Sequence, residues 1–386
     1  MIERQITDKL RYLAQKFPIV TLTGPRQSGK STLLKKCFSD YKYVSLEDTD
    51  MRLLASTDPH GFLATYNDRT IIDEAQRVPD LFSYIQTHVD EIGKEGMYIL
   101  AGSHNFLLMQ LISQSLAGRC AILKLLPFSH SEMQIGNILP ADVNDEIFTG
   151  SYPRIYDKKI NPIDYYPPYI QTYVERDVRQ LKNIGDLSQF VRFIKLCAGR
   201  IGQLLNLSSL AGDCGIAVST AKAWISLLEA SYIVYLLKPD FNNYSKRLVK
   251  TPKLYFHDTG LACSLLGIKD ASQLTLHYMR GELFENLVIN EFIKSAYNSG
   301  IIPELTFWRD STGTEIDLIR RNGSNVEAFE IKSGATFSTD YFKGISKWSA
   351  LSGTSADNCR VIYNGDKLLR TSKGDVVPWY QIESIL

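Results

Sequence analysis

Cysteine pairs are missing from this 386-residue sequence. Its six cysteines, Cys37, Cys120, Cys197, Cys214, Cys263 and Cys359, are scattered, with no C-x-x-C among them. That argues against a paired-cysteine zinc site and against a dense disulfide framework, and points to reduced thiols in the cytoplasm. Long apolar runs are missing too. Nowhere do about 20 uncharged apolar residues follow one another, so no membrane span is expected. The first residues, MIERQITDKLRYLAQKF, are charged throughout and lack the apolar stretch of a secretion signal. No charge of one sign dominates: Lys+Arg is 43 and Asp+Glu is 42. This excludes a polyelectrolyte tail and a wholly basic nucleic-acid binder, but not a local basic patch. Repeats and low-complexity tracts are absent. The hydrophobic content of 44% and charged content of 22% are those of a globular chain.

What is present begins with periodicity. Residues 1–16 place Ile2, Ile6, Leu10, Leu13 and Ala14 at helical spacing. Short apolar runs follow at 18–22, 43–46, 70–72, 97–100 and 120–126, with helical patterns between them. Five such strands predict a parallel α/β sheet. The pattern lapses near 136–146, which reads as a linker. A helical stretch over 161–235 comes next, and after 275 one long helix, a β-hairpin and mixed α/β. The expected parts are 1–135, 136–270 and 271–386.

Gly24-Pro25-Arg26-Gln27-Ser28-Gly29-Lys30-Ser31 fits G-x-x-x-x-G-K-[ST], with a strand before it and a helix, opening at Thr32, after it. The glycines let the backbone N–H groups face phosphates, and the helix N-terminus adds partial positive charge. Lys30 is expected on the β- and γ-phosphates and Ser31 on Mg²⁺, so ATP and Mg²⁺ are the expected cofactors. Thr70-Ile71-Ile72-Asp73-Glu74 is a short strand ending in two carboxylates. Asp73 is expected to hold Mg²⁺, and Glu74 to orient and deprotonate water. The next strand ends at Gly102-Ser103-His104, where strands of an open sheet present ligand groups. Ser103 is then either a sensor of the γ-phosphate or a helix cap. Arg119, before the strand at 120–126, reads as a residue acting on a neighbour's nucleotide, as a sensor within its own chain, or as an exposed helix-end charge.

With these motifs the sequence resembles the AAA-type P-loop ATPases of bacteria and archaea that carry a C-terminal domain of unknown function. The resemblance covers nearly the whole chain. It rests further on Ser115-Leu116-Ala117-Gly118-Arg119, Tyr152-Pro153-Arg154, Tyr173-Val174-Glu175-Arg176-Asp177-Val178 and Pro252-Lys253-Leu254-Tyr255-Phe256-His257-Asp258-Thr259-Gly260. It implies that Ser103 matches sensor 1 and Arg119 the arginine-finger position. His104 departs from the pattern, which has a second small polar residue there.

The middle of the chain reads as a winged helix. Leu207–Cys214 and Thr220–Ala230 are helices across a tight turn, with Ser219 as the cap of the second, and two strands follow at 232–237 and 253–256. One reading is DNA binding, with Ser219, Thr220, Lys222 and Ala223 in the major groove and Lys246, Arg247, Lys250 and Lys253 on phosphates. The other is an internal packing module. In the last part, Glu285 stands on a helix with Ile289 and Phe292 on its face. Asp317, Glu330 and Lys332 stand on two strands joined near Asn322-Gly323-Ser324. An even-numbered loop places Glu315, Asp317, Glu330 and Lys332 on one face, and Ile316, Leu318, Phe329 and Ile331 on the other. This layout resembles the restriction-endonuclease-like core. It implies a second Mg²⁺ or Mn²⁺ on Glu285, Asp317 and Glu330, with Lys332 beside the attacking water.

Two functions follow. In one, an ATPase controls DNA binding, and with it DNA cleavage, by its C-terminal parts. In the other, a nucleotide-driven switch or assembly protein carries a nuclease-like domain that never cuts and binds a protein partner or a second copy of the chain.

Overall fold

The computed structural model of the chain describes residues 2–103, 105–175, 187–240 and 250–386. Of the residues singled out above, His104, Arg176, Asp177, Val178, Lys246 and Arg247 lie outside them. The five early runs are strands β1 (Ile19–Thr23), β2 (Lys42–Ser45), β3 (Thr70–Asp73), β4 (Tyr98–Gly102) and β5 (Cys120–Lys124). All pair in parallel, in the order β2-β3-β4-β1-β5. Neighbouring residues face opposite cores. Ile19, Ile72 and Leu100 meet Phe82 and Ile85 of the helix Leu81–Ile92. Val20, Ile71 and Ile99 meet Leu10 of Thr7–Ala14 and Leu33 of Lys30–Cys37. Crossover helices cover both faces of a parallel sheet, so its strands read as continuous apolar runs.

Two expectations on the connecting segments need correction. The first helix spans only Thr7–Ala14, because Arg4 and Gln5 are committed to contacts outside it. The linker expected at 136–146 is shorter: residues 136–142 carry no helix or strand, and the helix Val143–Thr149 follows, capped by Asp142, whose side chain accepts from Asn144 N at 2.7 Å.

Helices Leu207–Cys214 and Val218–Ala230 flank a tight turn, followed by the antiparallel pair β6 (Val234–Pro239) and β7 (Lys253–Phe256). The second helix starts one residue before the expected cap. Ala217 stands at its N-cap with no side-chain bond, so Ser219 is not a cap. The C-terminal strands are β8 (Leu305–Arg309), β9 (Glu315–Asn322), β10 (Asn325–Lys332), β11 (Cys359–Tyr363), β12 (Leu369–Thr371) and β13 (Gly374–Pro378). β6 joins them by pairing Lys238 with Thr306 and Pro239 with Phe307. One sheet, β12-β13-β11-β10-β9-β8-β6-β7, therefore runs through residues 136–270 and 271–386 alike. No helix among the described residues is long and apolar enough to cross a membrane.

The β9–β10 hairpin turns on Gly323-Ser324, with Gly323 at φ +60°, and pairs Asn322 with Asn325 and Leu318 with Phe329. The expected face assignment fails at one residue. Against β8, Thr306 faces Ile319 but Trp308 faces Ile316, so β9 carries one extra residue between them. That bulge turns Ile316 towards Trp308, Ile345 and Trp348, while Leu318, Phe329 and Ile331 enter the other core. It also frees the Asp317 carboxylate to accept the Ile331 N–H at 2.8 Å.

Candidate functional site

The loop after β1 is shaped by glycine. Gly24 stands at φ +151°, and a Cβ there would lie 2.1 Å from the Leu125 carbonyl oxygen. Gln27 and Gly29 also take positive φ, which curls the loop into an anion-binding concavity at the start of Lys30–Cys37. Lys30 is buried, and its Nζ donates to the carbonyls of Gly24 at 2.9 Å and Pro25 at 2.8 Å. Burial lowers its pKa from 10.5 to about 8, against the opposing pull of Glu74 and Asp73. Ser28 Oγ is buried without a hydrogen-bond partner.

Across the cavity, Asp73 Oδ2 accepts from Ser31 Oγ at 2.6 Å and from Tyr43 OH at 2.7 Å. Glu74 follows at φ 54°, ψ 40°, a strained position for a residue with a side chain. Gln76 Nε2 donates to its carboxylate at 2.6 Å, and Ser103 Oγ stands 3.4 Å away. Burial raises the pKa of this carboxyl despite Lys30. Gly102 makes room for the arrangement, since a Cβ there would lie 2.2 Å from Gln76 Oε1. Arg26, Gln27, Gly29, Lys30, Ser31, Thr32, Asp73, Glu74 and Ser103 line a cavity of about 930 Å³. Gly24, Pro25 and Ser28 form the loop behind it. Arg4, Arg11, Lys36, Arg154 and Lys158 add cationic side chains to its wall.

Arg4 carries no sequence signal, yet it fixes the loop. Its Nη1 donates to Ser28 O at 2.8 Å and its Nη2 to Leu126 O at 2.6 Å, and its Nε pairs with Glu132 at 3.0 Å. Tyr43, read only as a strand residue, and Gln76 were equally silent. Tyr165, in the helix Pro162–Tyr169, donates to Gln27 Oε1 at 2.9 Å and so ties the central region to the loop.

Arg119 does not join this cavity. Its carbonyl accepts from Ile19 N, at the start of β1, whereas the loop follows the end of that strand. Those ends lie roughly 13 Å apart at the usual strand rise. The guanidinium points to Asp90, at 2.5 and 2.8 Å. Arg119 thus stands away from the cavity of its own chain.

In the C-terminal part, Glu285, Asp317, Glu330 and Lys332 do come together. Lys332 Nζ lies 2.5 Å from Glu330 and 3.8 Å from Asp317. Glu285 stands close enough to Asp317 for their charges to repel. Burial, with Asp317 beside them, raises the pKa of both Glu285 and Glu330. Lys253 is not on the surface with Lys250, as a phosphate contact would require. It is 1% exposed and pairs with Glu285 at 3.0 Å and with Glu315. The expected metal set does not fit. Among the described residues no three His, Cys, Asp or Glu side chains are arranged to hold a metal ion, and Lys253 and Tyr255 both donate to Glu285 Oε1.

A phosphate loop, an Asp-Glu strand end and a polar strand end on a five-stranded parallel sheet define a P-loop ATPase domain of AAA type. A family model described as an AAA domain matches residues 16–134. Two domains of unknown function, DUF8612 and DUF4143, match 140–272 and 280–382. The chain belongs to the same family as the uncharacterized proteins Rv2008c of Mycobacterium tuberculosis and Mb2031c of Mycobacterium bovis. It is 30% identical to each over 373 residues, covering 95% of this chain and 81% of the relative. Among solved structures, a Walker-type ATPase of Pyrococcus abyssi is 14% identical with a TM-score of 0.48, covering 69% of this chain and 96% of that one. AMPPCP-bound DnaA of Aquifex aeolicus is 14% identical with a TM-score of 0.31, covering 58% and 85%.

Proposed function

We propose that the chain binds and hydrolyses ATP and uses its nucleotide state to switch how the C-terminal domain engages a macromolecular partner. In this reading Lys30 and the backbone N–H groups of the loop between Arg26 and Ser31 hold the phosphates. Ser31 and Asp73 hold Mg²⁺, which supplies positive charge against the β- and γ-phosphates. The orphaned Ser28 hydroxyl and the ammonium of Lys30, now spent on loop carbonyls, suit an anionic guest. Glu74, kept in place by Gln76, orients and deprotonates water. Ser103 reports on Glu74, and Arg119 acts on the nucleotide of a second copy.

One observation carries the switch. The loop carbonyl of Ser28 is held by Arg4, and the next residue, Gln5, accepts Asn298 Nδ2 at 3.0 Å. Asn298 ends the long helix Arg280–Asn298, whose first turns carry Glu285. A rise of 1.5 Å per residue puts the two roughly 20 Å apart, so one helix spans from Gln5, next to the residue that holds the loop, to the carboxylate cluster. Phosphate release and ATP binding test the chemistry. Lys30→Ala should abolish tight ATP binding. Glu74→Gln should keep binding and lower turnover by about 10²–10⁴. Equal loss of binding in both variants would refute the division of roles.

A second reading, DNA contact, is favoured by the exposed Ser219 and Lys222 at the start of the second helix of the helix-turn-helix. With Lys253 buried, the contact is electrostatically thin. Lys222→Glu should weaken DNA binding and flatten its salt dependence, and an unchanged titration would remove DNA as the partner.

A further inference from the structure

Three elements converge on one ammonium. Lys253, on β7, pairs with Glu285 Oε1 of the long helix at 3.0 Å and with Glu315 on β9. Tyr255, two residues along the same strand face, donates to the same Glu285 oxygen. Arg309 takes the other Glu315 oxygen at 3.0 Å. Asp317 Oδ2 is engaged by the Ile331 N–H at 2.8 Å, and Glu330 Oε1 by Lys332 at 2.5 Å. A divalent ion needs several carboxylate oxygens free at roughly 2.0–2.6 Å. Here Glu285 Oε1 already serves two donors, and a fixed positive charge stands among the carboxylates.

We propose that Lys253 is the resident cation of the C-terminal carboxylate cluster, standing where a divalent metal would have to bind and bolting the β6–β7 hairpin to the C-terminal domain. Burial opposes the charge on Lys253, but Glu285, Asp317 and Glu315 outweigh it and hold the ammonium protonated. The cluster therefore takes no divalent ion while Lys253 is in place. Removing the ammonium leaves buried carboxylates, among them Glu330 with an unpartnered oxygen, whose charge a divalent ion can take over in competition with protons.

This rests on the reading of the C-terminal domain as a module that does not cut. The test is a Mn²⁺ titration of the nucleotide-free, full-length chain, followed by electron paramagnetic resonance of free Mn²⁺. Neither ATP nor a partner enters it, so its failure leaves the ATP-driven switch standing, and failure of the switch leaves this result readable. Wild type and Asp317→Asn should superimpose. Lys253→Met should take up one further Mn²⁺ per chain, and Lys253→Met with Asp317→Asn should lose it again. A wild-type site that Asp317→Asn abolishes would overturn the proposal, as would a folded Lys253→Met that gains nothing. If Lys253→Met does not fold, the wild-type comparison decides by thermal unfolding. A Mn²⁺-induced rise in Tm that Asp317→Asn removes contradicts the proposal, and identical curves support it.

Discussion

Lys30 is the residue of the loop whose charge its surroundings most oppose. Burial disfavours its ammonium, which titrates near pH 8 rather than 10.5. The nucleotide-free protein thus loses stability at this residue as pH falls from the unfolded value towards the folded one. A bound polyphosphate reverses the preference and restores the charge. ATP binding at pH 8 should therefore take up about half a proton at this residue, seen by calorimetry as a binding enthalpy that varies with the ionisation enthalpy of the buffer. Lack of any buffer dependence would mean that Lys30 is already charged in the empty loop. The residues of this site divide by how they announce themselves. Lys30, Ser31, Asp73 and Glu74 are legible because phosphate and metal chemistry demands those types at that spacing after a strand. Arg4, Tyr43 and Gln76 are not, because each acts through a partner distant in sequence or through a backbone turn that no local pattern encodes.

At the scale of elements, the five strands of the ATPase sheet stood out because burial on both faces leaves unbroken apolar runs. The hairpin was legible in its register and misread at Ile316, since a bulge is a property of two paired strands and leaves no periodic trace in one. Lys253 was misjudged in the same way. Its neighbours in sequence are basic, but its neighbours in space are Glu285 and Glu315. The N-terminal segment gives the clearest test at this scale. Arg4 and Glu132 are both buried, at 6% and 0% exposure, so Arg4→Met leaves the Glu132 carboxylate with only the N–H groups of Gln5 and Ser129, at a cost of about 3–5 kcal/mol. Tm should fall accordingly, and ATP affinity should fall with it because the Ser28 carbonyl loses its anchor. Unchanged ATP affinity in the folded variant would show that the loop holds its shape unaided.

At the scale of the whole molecule, changes of periodicity suggest three parts, but the sheet that joins residues 136–270 to 271–386 leaves no trace in them. A strand pattern reports which face is apolar and says nothing of which distant strand will lie beside it, and β6 and β8 pair across a long stretch of chain. That shared sheet joins the central and C-terminal parts, and the helix Arg280–Asn298 reaches from Glu285 to Gln5, next to the Arg4 that holds the loop. On the proposed function, ATP binding is felt along this helix. Hydrogen exchange read by mass spectrometry on the Glu74→Gln chain, which should hold ATP without turning it over, tests it most directly. ATP should alter protection in residues 24–32 and at both ends of Arg280–Asn298. Adding Asn298→Ala should abolish the change near Glu285 while leaving that at 24–32 intact. A change confined to the ATPase domain, or one near Glu285 that survives the loss of Asn298, would contradict the account.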